Sequence, residues 1–349
     1  MNYLPELIVF LSSKESVLDR ITIIGMGPIG TSIGLALRAA KLKNTEIVGT
    51  SAEKRNLSLA KDMGAIDKSI SNLRSSVEGA KLIILDISIT ETREFLDVLG
   101  SIADPGVVIT DTCSTKVRVN DWANEYLPEG KYFIGGNPLL KNTLTDINEA
   151  SATAFTGSKY CVIPNESADK QAVRTVVGLV ELLGAEPLFL DPHEHDSYAT
   201  AMTYLPIVMS SALVTTTSKS QAWREMHKLA SSEFGDFSKF AGNDPQDNET
   251  ACLSNPEALV TWIDKLILEL YSYRNLINDR SEELLEQFIL AWEARARWQA
   301  NAVVETDETS MPNAREAMAA AFLGNRLLDK YRNLTGSDKT KHDWKYKRE

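Results

Sequence analysis

A glycine-rich loop near the start of the chain has the spacing that binds a dinucleotide. Gly25, Gly27 and Gly30 form a G-x-G-x-x-G, and Pro28 and Ile29 stand between the last two glycines. The first glycine permits a tight turn, the second lets the backbone approach a pyrophosphate, and the third allows close helix packing. The helix N-terminus offers N–H groups and a positive dipole end to the phosphates. The loop predicts a dinucleotide cofactor; the alternative is a plain strand-to-helix turn.

The residues after the second predicted strand favour NADP over NAD. An acidic side chain about 20 residues beyond the loop would bond the ribose 2′-hydroxyl of NAD. Here the strand ends at Thr50 and Ser51, and no acid stands at that end. Lys54 and Arg55 follow, and two cations beside small hydroxyls suit a 2′-phosphate. NAD stays possible if Glu53 takes the ribose and the cations form a solvated helix face.

The loop comes first in a series of alternating strands and helices. Compact β-branched runs predict strands, and apolar residues at helical spacing predict the helices between them. This alternation predicts an α/β Rossmann domain, a doubly wound and mainly parallel sheet. Beyond about residue 191 the pattern is all helical. The predicted strands are 20–25, 46–49, 81–85, 107–110, 132–134 and 159–163, and the predicted helices are 28–41, 52–63, 91–99, 197–218, 256–278 and 282–301.

The length of 349 residues suggests about two domains. We expect an N-terminal extension at 1–17 and an NADP-binding Rossmann domain at 18–191. A helical substrate and dimerisation domain follows at 192–305, then a C-terminal helix with a charged tail at 306–349.

Composition excludes several classes of protein. With 48 acidic and 37 basic residues, the net charge of −11 repels nucleic-acid backbones. Cys113, Cys161 and Cys252 are far apart, which fits a reducing cytosol and predicts neither a disulfide framework nor a metal site. No signal peptide and no membrane-length apolar run is apparent. We expect a soluble cytoplasmic protein that binds neither nucleic acid nor membrane.

Several motifs, in order along residues 20–300, resemble those of the prephenate and arogenate dehydrogenases, oxidoreductases of tyrosine synthesis. Some match the family pattern and others replace its residues at matching positions. In the first half they are Gly64-Ala65-Ile66-Asp67 after the glycine loop, D-T-C-S-T-K at 111–116 where the family has D-x-x-S-x-K, and Gly136-Asn137-Pro138 where the family has G-x-H-P. Next come Gly184-Ala185 with D-P-H-E-H-D at 191–196. The last two are T-Y-L-P-I at 203–207 where the family has S-H-L-P-H, and Ser254-Asn255-Pro256 with Trp262 where the family has SDP…W.

The resemblance implies a Rossmann domain followed by a helical domain that forms a homodimer. It implies oxidative decarboxylation of a cyclohexadienol: hydride leaves the ring carbinol carbon for the nicotinamide, carbon dioxide departs, and the ring becomes aromatic. A family histidine accepts the hydroxyl proton, which is ordinary work for an imidazole near neutral pH.

The chain departs from the family at that histidine. Asn137 replaces it, and an amide cannot accept a proton at neutral pH, although it can orient a hydroxyl. Tyr204 and Ile207 replace two further histidines, and the family's carboxylate-binding arginine falls near Thr250. Loss of a general base removes about 10²–10⁴-fold in rate. Either the substrate differs or other residues carry the chemistry.

Four residues are therefore the candidate catalytic set: Ser114, Lys116, Asn137 and Tyr204. The resemblance puts Ser114 beside both the nicotinamide and the substrate ring. Lys116 is a candidate proton relay or carboxylate anchor, or else a solvated side chain. Tyr204 is a candidate proton donor or a core aromatic, and Asn137 a substrate ligand or a turn cap. We expect His195 to fix the domain junction by hydrogen bonding rather than to act as the base.

These observations predict an NADP-dependent dehydrogenase, similar to prephenate dehydrogenase, with an altered pocket for a small carboxylate-bearing cyclic alcohol. Two alternatives stay open. One is a catalytically silent NADP-binding sensor, and the other is a dehydrogenase or reductase for a different small carboxylate.

Overall fold

The computed structural model describes residues 19–165 and 168–300. The predicted extension at 1–17 and the predicted tail at 306–349 lie outside the described residues. The chain divides into two compact units, one ending at Ile263 and the other beginning at Asp264.

Within the described residues, one sheet of eight strands has the order β3-β2-β1-β4-β5-β6-β7-β8. All neighbours are parallel except β6 and β7, which are antiparallel. This confirms the predicted mainly parallel Rossmann sheet. The strands are β1 (Asp19–Ile24), β2 (Thr45–Thr50), β3 (Lys68–Ser69), β4 (Ala80–Leu85), β5 (Val108–Asp111), β6 (Tyr132–Leu139), β7 (Lys159–Ile163) and β8 (Glu186–Phe189).

Helices connect these strands and make up the region after β8. They are α1 (Pro28–Ala39), α2 (Lys54–Asp62), α3 (Leu73–Val77), α4 (Ile89–Ile102), α5 (Val117–Tyr126), α6 (Lys170–Leu182), α7 (Pro192–Ala199), α8 (Leu205–Ser218), α9 (Trp223–Met226), α10 (Ser232–Ser238), α11 (Pro245–Ser254), α12 (Pro256–Asn278) and α13 (Glu283–Gln299). A π-helical turn, Thr200–Tyr204, joins α7 to α8.

The sheet is covered on both faces, which explains why its central strands are continuous apolar runs. Successive residues of β1 point to opposite faces, so Ile23 enters one core and Ile24 the other. The first core packs against α1 and α6, and the second against α4 and α5. The strand order reverses between β1 and β4, and the carboxyl ends of strands at such a switch point are where ligands bind.

One continuous helical run, Pro192–Ser218, is long and apolar enough by length and composition to cross a membrane. The sequence had predicted no run of this kind. A single such helix is weak evidence for a membrane span, since helices of soluble proteins pass the same test.

Two helical glycines offer a matched test of how closely α4 and α5 approach. A Cβ on Gly100 would lie 2.1 Å from the Tyr126 carbonyl oxygen, whereas a Cβ on Gly235 would meet nothing within 4 Å. We expect Gly100→Ala to lower the free energy of unfolding by about 1–3 kcal/mol through overpacking. Gly235→Ala, with the same gain in helix propensity, should raise it by up to about 1 kcal/mol. Urea unfolding measures both; equal effects would contradict the close approach.

Candidate active site

The glycine loop connects β1 to α1 in a geometry that fits a pyrophosphate. Gly25 has φ +94°, and a Cβ there would lie 1.8 Å from the Asp86 carbonyl oxygen. A Cβ on Gly30 would lie 2.3 Å from the Gly25 carbonyl oxygen. α1 begins at Pro28, and its N-cap residue Gly27 has no side chain with which to cap it. Only glycine fits these two positions, and the helix N-terminus they expose is an anion-binding end.

Asp86 follows β4 and was not among the residues predicted from sequence. Its Oδ2 accepts a hydrogen bond from the Gly30 N–H at 2.7 Å, and its Oδ1 accepts one from the Thr112 hydroxyl at 2.8 Å. Burial raises the pKa of this carboxyl, although the two hydrogen bonds partly offset the effect. A signal was available: an acid directly after a predicted central strand lies at the sheet edge where ligands bind.

The predicted ribose-binding residues lie at the carboxyl end of β2. The Thr50 carbonyl accepts a hydrogen bond from the Gly25 N–H at 2.9 Å, which ties this strand end to the glycine loop. Lys54 and Arg55 are exposed in the first turn of α2. Arg55 also lowers the pKa of Asp146, after larger effects of hydrogen bonds from Asn148. Both predicted cations are therefore accessible at the cofactor end of the sheet.

Glu53, the alternative ribose ligand, is the N-cap residue of α2. Its carboxylate accepts a hydrogen bond from Asn56 Nδ2 at 2.7 Å, and its N–H donates to Ser51 Oγ at 3.2 Å. Glu53 and Ser51 thus take part in the local turn that starts the helix, three residues or fewer before Lys54 in the chain.

A fully buried ion pair lies at the carboxyl end of β5. Lys116 Nζ is 2.5 Å from Asp111 Oδ2, and both side chains are 0% exposed. Lys116 Nζ also donates to the Gly136 carbonyl at 2.7 Å, and the Gly136 N–H donates to Asp111 Oδ1 at 2.9 Å. The ammonium of Lys116 is directed into the protein, so the geometry gives it a role in joining β5 to β6. The alternative that Lys116 is a solvated side chain is therefore wrong.

Asp196 satisfies the N-terminus of α5. Its carboxylate accepts hydrogen bonds from the N–H groups of Lys116 and Val117 at 2.7 and 2.9 Å, and from the Thr115 hydroxyl at 3.1 Å. Burial alone would raise the pKa of this carboxyl, but the hydrogen bonds from His195 and from the two amides outweigh it and the pKa is lowered. Asp196 is therefore a carboxylate near neutral pH.

Asn137, His195 and Asp196 form a hydrogen-bonded series. His195 Nδ1 lies 2.8 Å from Asp196 Oδ1, and His195 Nε2 lies 2.9 Å from Asn137 Nδ2. A carboxylate only accepts, so Nδ1 carries the proton and Nε2 of the neutral ring accepts from the Asn137 amide. The side chains of Asn137 and His195 are both buried. His195 is held at both ring nitrogens, and the orientation of the Asn137 amide is thereby set.

Tyr204 reaches the same cluster from the helical region. It is completely buried, and its hydroxyl donates to the Ser114 carbonyl at 2.6 Å. Burial raises its pKa to about 12. The four candidate catalytic residues thus lie together: Tyr204 contacts Ser114, and Lys116 contacts the residue before Asn137. The hydroxyl of Tyr204 is directed at backbone, which supports its reading as a core aromatic.

Cys113 lies in the same segment, and its thiol is unsuited to nucleophilic chemistry. Burial, followed by the charge of Asp111, raises its pKa to about 12.

Two family models match consecutive parts of the chain. One is described as prephenate dehydrogenase, nucleotide-binding domain, and matches residues 33–188. The other is described as prephenate dehydrogenase, dimerization domain, and matches residues 191–290. The second match supports a homodimer, and it covers the apolar helical run Pro192–Ser218.

Curated proteins and solved structures agree with these matches. The chain is 26% identical over 272 residues to a prephenate dehydrogenase of Bacillus subtilis, covering 77% of this chain and 73% of the relative. It is 29% identical to one of Lactococcus lactis, covering 78% and 75%. The prephenate dehydrogenase of A. aeolicus, solved with hydroxyphenyl propionate and NAD+, has a TM-score of 0.72 at 24% identity and covers 81% of this chain and 99% of that one. An arogenate dehydrogenase of Synechocystis has a TM-score of 0.64 at 24% identity, covering 80% and 99%.

Replacing one partner of the buried ion pair tests its structural role. We expect Lys116→Met to lower the free energy of unfolding by about 3–5 kcal/mol, because Asp111 is left as an uncompensated buried charge. The double variant Asp111→Asn with Lys116→Met, which removes both charges, should be more stable than Lys116→Met alone. Urea unfolding measures both. A loss below about 1 kcal/mol for the single variant, typical of exposed pairs, would contradict the assignment.

Proposed function

Because the chain belongs to the prephenate dehydrogenase family, we propose that it oxidises a prephenate- or arogenate-like cyclohexadienol carboxylate with a nicotinamide cofactor. The observation that carries this proposal is the pair of consecutive domain matches, preceded by a glycine loop at the switch point of the sheet. Curated relatives that align over 77% and 78% of the chain are dehydrogenases, which disfavours a silent sensor. They also support a soluble protein, and a cytoplasmic location belongs to the proposal.

The missing histidine is compatible with this reaction because the overall conversion releases no proton from the hydroxyl. When bound, an oxidised nicotinamide would supply the acceptor for the hydride that leaves the ring carbinol carbon. The carbon–carbon bond to the departing carbon dioxide leaves its electron pair in the ring, which becomes a phenol. The phenol oxygen keeps its proton, so the site needs to polarise the O–H bond and does not need to remove the proton. A fixed hydrogen-bond acceptor serves that purpose less effectively than a base, but without changing the products.

Asn137 is the residue that we assign to this acceptor role. Its Nδ2 faces His195 Nε2 at 2.9 Å, which fixes the amide and reserves the carbonyl Oδ1 for another partner. Asp196 fixes the histidine in turn through Nδ1. We therefore assign His195 and Asp196 as positioning residues. Ser114, which is partly exposed beside them, is assigned as a second ligand of the substrate hydroxyl. Lys116 and Tyr204 hold the backbone of the cluster in place through their hydrogen bonds to the Gly136 and Ser114 carbonyls.

The proposal includes a preference for NADP over NAD. The accessible cations Lys54 and Arg55 at the carboxyl end of β2 support it, together with Thr50 and Ser51 at the strand end. A 2′-phosphate carries about −1.5 to −2 charges near neutral pH, so two cations there discriminate between the cofactors.

A cofactor titration tests this preference. We expect NADPH to bind more tightly than NADH. The double variant Lys54→Ala with Arg55→Ala should weaken NADPH binding about tenfold, because two exposed ion pairs contribute up to about 1 kcal/mol each. NADH binding should be unchanged. Arg174→Ala, an exposed arginine on α6, is the control and should alter neither affinity. Tighter NADH binding by the unmodified protein would contradict the NADP preference.

Turnover assays test the role of Asn137. We expect slow oxidation of prephenate or arogenate, a kcat at least tenfold lower in Asn137→Ala, and a kcat about 10²-fold higher in Asn137→His, where a general base is present. Unchanged NADPH affinity in each variant would show that the fold and the cofactor site persist. If Asn137→Ala matches the unmodified protein, Asn137 is not the acceptor. If no variant oxidises either acid, the substrate lies outside this class.

A further inference from the structure

An acidic side chain flanks the anion-binding end of α1. Asp86 Oδ2 is 2.7 Å from the Gly30 amide nitrogen. A Cβ on Gly30 would come within 2.8 Å of this oxygen, and a Cβ on Gly27 within 3.4 Å. The carboxyl group therefore lies against Gly27, the glycine that a pyrophosphate approaches in this type of loop, and against Gly30, which allows the close packing of the helix.

The bond to Asp86 also changes the set of donors at the helix end. Of the first three residues of α1, Pro28 has no N–H and the N–H of Gly30 donates to Asp86. The N–H of Thr31 already donates to the Gly27 carbonyl at 2.9 Å. A bound pyrophosphate thus shares the helix N-terminus with a side chain of its own charge sign.

The surroundings of Asp86 do little to stabilise its negative charge. Thr112 and Gly30 donate hydrogen bonds to it, and burial raises its pKa. From β7, Tyr160 faces it as a buried neutral phenol. From β5, Asp111 is already paired with Lys116. The first turn of α1 contains neither an acidic nor a basic residue. Within the described residues, no cation lowers the pKa of Asp86.

We propose that Asp86 sets the affinity of the glycine loop for the cofactor, and that the dinucleotide binds to the form of the protein in which this carboxyl is protonated. In that form Oδ2 can still accept from Gly30, while like-charge repulsion with the pyrophosphate disappears and an O–H becomes available to a phosphate oxygen. Binding then takes up a proton. This inference rests on the proposed use of a nicotinamide cofactor.

The sign of the pH dependence follows from this proton uptake. The complex holds more protons than the free protein, so the Kd falls as the pH falls between the pKa of Asp86 in the free protein and its higher value in the complex. The change is at most about tenfold per pH unit for one proton.

The test compares the unmodified protein with Asp86→Asn, which keeps an acceptor for the Gly30 N–H and removes the charge. NADPH binding is measured by fluorescence from pH 6 to 8.5, and the ratio of the two Kd values cancels the titration of the 2′-phosphate. We expect the unmodified protein to bind about tenfold or more weakly than Asp86→Asn at pH 8.5, with the ratio approaching one at pH 6. Calorimetry in Hepes and in Tris should show proton uptake that Asp86→Asn lacks.

Asp104→Asn is the matched control. Asp104 Oδ2 accepts from the Gly79 N–H at 2.8 Å, the same kind of bond before the opposite end of β4. This variant should bind NADPH as the unmodified protein does at every pH.

Three other results would overturn the inference. If Asp86→Asn binds more weakly, the carboxylate is itself a ligand of the cofactor. If both proteins bind with parallel pH curves, Asp86 does not govern proton uptake, and only this inference fails. If neither protein binds NADPH or NADH at any pH, the proposed nicotinamide function fails and this inference fails with it.

Discussion

The pair of Asp111 and Lys116 is the interaction on which the site depends. Two buried charges are tolerated only when they are paired and their remaining hydrogen-bonding capacity is used. Here the carboxylate also accepts from the Gly136 N–H, and the ammonium also donates to the Gly136 carbonyl. The pair thereby fixes the residue that precedes Asn137. The backbone of Lys116 in turn donates to Asp196, so one residue connects the sheet, α5 and the helix that carries His195.

Two adjacent residues at the carboxyl end of β5, Asp111 and Thr112, hold two different segments in place. Thr112 donates to Asp86 beside the glycine loop, while Asp111 holds the segment that carries Asn137. The glycine loop and the segment that carries Asn137 are therefore positioned by neighbouring side chains that point to opposite sides, as the alternation of a strand dictates. The hydrogen bonds among Asn137, His195 and Asp196 then keep the geometry of this cluster defined.

The sequence predicted the fold well because its strongest signals are local. The β-branched runs of the central strands and the glycine loop depend on spacing alone, and the resemblance supplied the order of the domains. The short strand β3 and the largely exposed β8 lack such a run, and α5 begins where a distant carboxylate caps it. The site was predicted less completely. Whether Lys116 faces solvent or Asp111 depends on its direction at the start of α5. The position of Asp86 becomes significant only because Gly30 approaches it in the folded chain.

The cap of α5 has a consequence for how this chain can vary. The two domain matches meet between residues 188 and 191, yet the carboxylate that caps α5 comes from Asp196, beyond that boundary. The same short helix carries His195, the partner of Asn137. A change of the side chain at residue 195 or 196 in one half would therefore remove a partner of Asn137 or the cap of α5 in the other half. A substitution at residue 137 is thus physically tied to residue 195, across the boundary between the two matches.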